Sequence, residues 1–193
     1  MGKGRLEAFS DGVLAIIITI MVLELKVPHG DGWAALAPLV PTLLAYLLSF
    51  MYIGIYWNNH HHMLHTVGHV TGPILWANLH LLFWLSLVPV ATAWLDEANF
   101  ATIPTALYGA VLFMSAVAFT ILQSLIIASQ GHDSLLKRAV GKDRKAKSSL
   151  LLYALAIVLA FYNPVAAIGL YALVALFWLI PDRRIERVLT QEK

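Results

Sequence analysis

The fold turns on residues 5–25, RLEAFSDGVLAIIITIMVLEL. A helix that crosses a bilayer needs about 20 mostly apolar residues, and the run from Leu6 to Leu25 supplies them. Its first two turns break the pattern with Glu7, Ser10 and Asp11. An ionisable group inside a span is expensive and marks a functional site or a buried polar network. At about 100° per residue, Phe9, Gly12, Ile16, Ile20 and Leu23 fall within roughly 40° of one line. Thr19 lies beside that line, about 60° from Ile16, while Asp11 lies about 140° from Ile16. The helix therefore has a polar anchor face turned into its own bundle. An apolar face carrying Ile16, Ile20 and Leu23 is left to meet something else. No small-residue cleavage site follows the run, so it is expected to be a retained span and not a signal peptide.

The rest of the chain agrees with a membrane solvent. Of its 193 residues, 60% are hydrophobic and only 12% charged. Soluble domains carry about 25% charge, and so few charges cannot build a water-facing surface. There are no cysteines, which excludes disulfides, thiolate chemistry and cysteine metal sites. Beyond the first span at 6–25, further apolar runs occupy 38–60, 73–94, 105–129, 147–162 and 164–180. Lys26, Pro28, Gly30 and Gly32 close the first. Pro41 falls in the opening turn of the second, where proline is tolerated. Pro89 predicts a kink near the far end of the third. The last apolar block, 149–180, is too long for one span; Asn163-Pro164 is a turn signal and divides it into a hairpin. The reading is an all-α, polytopic membrane protein of six transmembrane helices in a single domain, 1–193. No soluble domain large enough for its own core accompanies them.

Lysine and arginine set the orientation. Lys3 and Arg5 precede the first span; Lys137, Arg138, Lys142, Arg144, Lys145 and Lys147 separate the fourth from the fifth; Arg183, Arg184, Arg187 and Lys193 follow the sixth. Six spans place twelve of the thirteen basic residues on one side. Five would strand the tail cations opposite. The expected location is the cell membrane, multi-pass, with both termini cytoplasmic. The basic loop is first of all this topology signal, with an anionic headgroup as a lesser role.

Three segments bring polar groups to one depth near the cytoplasmic face. They are the start of the first span (Arg5, Phe9, Ser10, Asp11), the end of the second (Trp57, Asn58, Asn59, His60, His61, His62) and the start of the third (Trp76, Asn78, His80). A medium without water requires such groups to bond one another. The residues taken as the structural network are Arg5, Phe9, Ser10, Asp11, Trp57, Asn58, His61, Trp76, Asn78 and His80. His61, His65 and His69 repeat at four-residue spacing, which would align them on a helix. No acidic residue or cysteine lies within that stretch, so a tetrahedral metal set is not expected; the other readings are a pH-sensing cluster and plain interfacial packing. No cofactor is expected. Trp33 and Trp94 read as interface anchors. Glu24 reads as a solvated helix end or as an acidic ring that concentrates cations.

Arg5 with Phe9-Ser10-Asp11, Tyr56-Trp57-Asn58-Asn59-His60-His61 and Trp76-Ala77-Asn78-Leu79 resemble the transmembrane protein 175 family of potassium channels over nearly the whole chain. The resemblance implies a homotetramer of six-helix subunits around a central pore lined by the first helix. It implies a constriction at Ile16, further apolar rings at Ile20 and Leu23, and a hydroxyl layer at Thr19. Ala15 stands where some relatives have serine. The implied function is passive, potassium-favouring cation conduction, with potassium as the permeant ion, lipid and sister subunits as partners, and no nucleic acid. The competing reading is a proton-coupled transporter or exchanger using Asp11 and the histidines. Its inverted repeats and discontinuous spans are not visible. A membrane metalloenzyme would need three convergent ligands, and none can be placed.

Overall fold

The computed structural model describes residues 2–29, 31–131, 134–141 and 143–179. Among them the chain is all-helical, without strands. In order come α1 (Lys3–Leu23), a 3-10 segment (Trp33–Leu39), α2 (Val40–His65), α3 (Gly72–Ser86), α4 (Val88–Glu97), α5 (Thr102–Gln130), the short α6 (Leu135–Val140), α7 (Arg144–Ala160) and α8 (Pro164–Leu179). Four stretches are long and apolar enough to cross a membrane: Lys3–Leu23, Trp33–His65, Gly72–Glu97 and Thr102–Gln130. Pro164–Leu179 is apolar but shorter.

Local chemistry explains the breaks. Pro89 has no amide proton for the carbonyl four residues back. The helix tightens there, with Leu87 N–H bonding Trp84 O at 3.2 Å, and resumes as α4 with Ala91 N–H on Leu87 O at 3.0 Å. Asn163 caps α8 by accepting from Ala166 N–H at 3.1 Å, and Pro164 opens that helix, where a missing N–H costs nothing. Asp143 caps α7 from the left-handed region, φ 42°. Its other carboxylate oxygen accepts from Gln123 Nε2 at 2.7 Å, tying α7 to α5.

Helix α5 is the mast, packed on α3, α4, α7 and α8, while α1 packs on α2, α3 and α4. A Cβ at Gly109 of α5 would overlap the Tyr171 ring of α8. Only glycine admits that approach, in which the Tyr171 hydroxyl donates to Thr105 O at 3.3 Å. In lipid such close packing and interhelical hydrogen bonding replace the hydrophobic drive. Ser49 links Thr92 at 2.7 Å and Tyr108 at 3.0 Å, and the Tyr52 hydroxyl donates to Tyr171 O at 2.6 Å.

Polar ties mark the two ends of the bundle. At one end Lys3 Nζ donates to His65 O at 2.8 Å and Gln130 Nε2 to Thr66 O at 2.6 Å. At the other, Thr42 Oγ1 lies 2.9 Å from both carboxylate oxygens of Asp96. The first end gathers Lys3 with the basic residues of α6 and α7. Lys142 and the tail cations Arg183, Arg184, Arg187 and Lys193 lie outside the described residues, as does Ile180.

Candidate functional site

Helix α1 buries Leu6, Ser10, Leu14, Ile17 and Met21, one stripe at the three- and four-residue spacing of a helix packed along one side. A second stripe, about 110° round the helix at 100° per residue, is bare: Phe9 is 50% exposed, Ile16 59%, Ile20 42% and Leu23 79%. A span normally hides its polar atoms and shows lipid an apolar skin, so bare isoleucines alone decide nothing. What sets α1 apart is that the same helix is pinned to its neighbours by its polar side.

Ser10 is fully buried. Its hydroxyl donates to Leu6 O at 2.9 Å and accepts from Asn78 Nδ2 at 2.9 Å. The amide is thereby oriented, leaving Asn78 Oδ1 for His60 Nε2 at 2.6 Å. With a carbonyl oxygen as acceptor, the His60 proton sits on Nε2. A serine, an asparagine and a histidine from three helices thus satisfy one another. Beside them the Trp57 indole donates to Asp11 Oδ1 at 2.9 Å, and the His61 ring stacks on Trp57 at 6.0 Å.

The structure joins Ser10 with Asn78, and Asp11 with Trp57 and, by stacking, His61. It does not join the other candidates to them. Arg5 is exposed and Asn58 half-buried, and neither side chain bonds among the described residues. Trp76 is 75% exposed. His80 accepts from Trp84 Nε1 at 2.9 Å, a separate pair on its own helix. Phe9 sits on the bare stripe. Sequence reading left His60 out of the candidate network, although it is 2% exposed and closes the chain of bonds. The available signal was its spacing, since His60 continues the buried series Tyr52 and Tyr56 at intervals of four.

Thr19 is exposed on α1, with its hydroxyl donating to Ile16 O at 2.8 Å. His61 lies 4.5 Å from His65, ring centre to ring centre. Among the described residues no group of three or more His, Cys, Asp or Glu converges to hold a metal ion.

An all-helical bundle with four spans of crossing length, and buried polar groups paired between helices, defines an integral membrane protein. The family described as "Endosomal/lysosomal potassium channel TMEM175" matches residues 5–89. A potassium channel of Chryseobacterium sp. (strain P1-3) is 60% identical over 191 residues, covering 99% of this chain and 100% of its own length. A potassium channel of Streptomyces collinus (strain DSM 40733 / Tue 365) is 35% identical over 188 residues, covering 91% of each. Among solved structures, the crystal structure of a lysosomal potassium-selective channel TMEM175 homolog from Chamaesiphon minutus superposes with a TM-score of 0.82. It is 30% identical and covers 93% of this chain and 97% of that one. The chain belongs to the TMEM175 family.

Proposed function

We propose that the chain is one subunit of a homotetrameric cation channel that conducts potassium passively, with α1 of each subunit lining the pore. The carrying observation is the division of α1 into a face fixed by Ser10 and Asp11 and a bare face of Ile16, Ile20 and Leu23. One subunit packs its own interior, so a conduit forms only between copies. The potassium-channel names of the full-length bacterial relatives support the choice of ion. Ile16 is the constriction, Ile20 and Leu23 are further apolar rings, and Thr19 is the adjoining hydroxyl layer. Such rings stop ions by excluding their hydration water. Ser10, Asp11, Trp57, Asn78 and His60 hold the helix and stay out of the ion path.

In this reading α1, α2, α3 with α4, α5, α7 and α8 make six crossings of the cell membrane, both termini cytoplasmic and the basic end inward. The test is reconstitution in liposomes under a potassium gradient. Passive flux with a reversal potential near that of potassium is the expected result. Flux that requires an opposing proton gradient, at fixed stoichiometry, would establish an exchanger instead.

A further inference from the structure

Away from α1, a narrow, half-open crevice runs between α2, α5, α7 and α8. Its walls are mainly the rings of Tyr52, Tyr56, Phe119, Tyr153 and Trp178, with Ser149 toward the start of α7. Two observations at this crevice are not accounted for by packing.

The first is Tyr56. It is 8% exposed and lines the crevice, yet among the described residues its hydroxyl has no hydrogen-bond partner. The hydroxyl opens onto the crevice, where a ligand can reach it. Tyr52 and Trp178, by contrast, are satisfied, the indole by Ser149 Oγ at 2.7 Å.

The second is charge. The opening turn of α7 carries Arg144, Lys145 and Lys147 and no acidic residue inside the helix. A helix N-terminus already bears partial positive charge, so cations there repel it. A topology signal requires basic residues on one side of the membrane, and it does not require them on the first turn of a helix. Asp143, which accepts from Gln123 and the Ala146 amide, offsets part of the charge. Lys145 lies one turn before Ser149 on the crevice side of α7. Its ammonium sits 4.5 Å from the centre of the Trp178 ring and 5.0 Å from that of Phe177. Arg144 is exposed next to it, whereas Lys147 is exposed on the far side of the helix, about 160° round at 100° per residue. The positive charge therefore stands at the end of the apolar slot where α7 begins.

We propose that this crevice is a binding site for an anionic phospholipid, with one acyl chain along the Trp178 wall and the phosphate at the first turn of α7. The slot suits a methylene chain, Tyr56 offers an uncommitted donor to an ester carbonyl, and the cations neutralise the headgroup. A zwitterionic phospholipid would gain the chain contact and little from the cations. Each cation near an anionic headgroup is worth about a fivefold gain in binding.

The full-length protein can be tested in liposomes into which phosphatidylglycerol or phosphatidylcholine with brominated acyl chains is titrated over the same range of mole fraction. The chain has six tryptophans. The contribution of Trp178 is the difference between the parent protein and Trp178→Phe. Brominated phosphatidylglycerol should quench Trp178 at a concentration at least about fivefold lower than brominated phosphatidylcholine does. The double variant Arg144→Gln/Lys145→Gln should erase that preference. Equal quenching by both lipids would reduce the crevice to ordinary lipid contact and overturn the proposal. No quenching by either would mean that protein, such as a neighbouring subunit, fills the crevice, and would overturn it equally. Should Trp178→Phe not fold, native mass spectrometry of the parent protein decides. Phosphatidylglycerol retained in preference to phosphatidylcholine, and lost from the double variant, supports the site; no preference overturns it.

Discussion

At the scale of single residues, polarity inside an apolar run is the most legible signal in the sequence. Ser10, Asp11 and Asn78 stand out because a medium without water leaves them no partner except each other. His60 does not stand out, because it is one of three consecutive histidines and only its helical phase separates the buried ring from its neighbours. Arg5 and Trp76 carry equally conspicuous side chains, yet within one chain they face outward; residue type gives the chemistry and not the direction. Asn78→Leu should leave His60 without its partner and Ser10 with only its bond to Leu6 O, costing about 1–3 kcal/mol. A lowered unfolding temperature in detergent, larger than for the exposed Leu79→Ala, would register it. Ile16→Asn addresses conduction instead. A polar ring hydrates sodium as well as potassium, so conductance should rise and discrimination fall, read as a reversal potential drawn toward zero under opposed potassium and sodium gradients. Ile16→Met, which keeps the ring apolar, should change conductance with less loss of selectivity. If both variants match the parent, Ile16 is not in the ion path.

At the scale of elements, the breaks were written in proline. Pro89 and Asn163-Pro164 interrupt helices because one backbone donor is missing, a cause visible in the letters. The 3-10 segment Trp33–Leu39 and the short α6 were not visible. Neither has a hydrophobic period, and both owe their form to the helices they join. For α1 the periodicity shows which side chains share a face but not which face is buried; the contacts with α2, α3 and α4 decide that. The consequence can be checked directly, since the chain has no native cysteine to confuse the result. Cysteines at Ile16 or Leu23 should form disulfides between subunits under mild oxidation. A cysteine at Ile17, 3% exposed within its own chain, should not. Crosslinking at Ile17 and none at Ile16 would turn the helix around and remove the pore assignment.

At the scale of the whole molecule, assembly is the property that a single chain shows least. Composition announces a membrane protein, and the family match supports a channel. The bare face of α1 is a surface for contact between copies and does not give their number. Because α1 is both the pinned helix and the proposed contact between copies, loosening the pin should weaken assembly before it alters permeation. Asp11→Ala frees the Trp57 indole, a partly exposed partner whose loss is worth about 1 kcal/mol. It should raise the fraction of dissociated subunits in mass photometry and leave the reversal potential of the remaining channels unchanged. Normal assembly with altered ion preference would place Asp11 in the ion path. The polar ties of α1 to its neighbours among the described residues all fall within its first nine residues: Lys3, Ser10 and Asp11. From Gly12 onward, no side-chain hydrogen bond joins α1 to another helix among the described residues. The helix is clamped at one end like a cantilever. Beyond the clamp only dispersion forces hold it, and these resist separation far more than sliding or rotation. A bore built from four such beams would widen or narrow at the ends far from the clamp, with no hydrogen bond broken during the stroke.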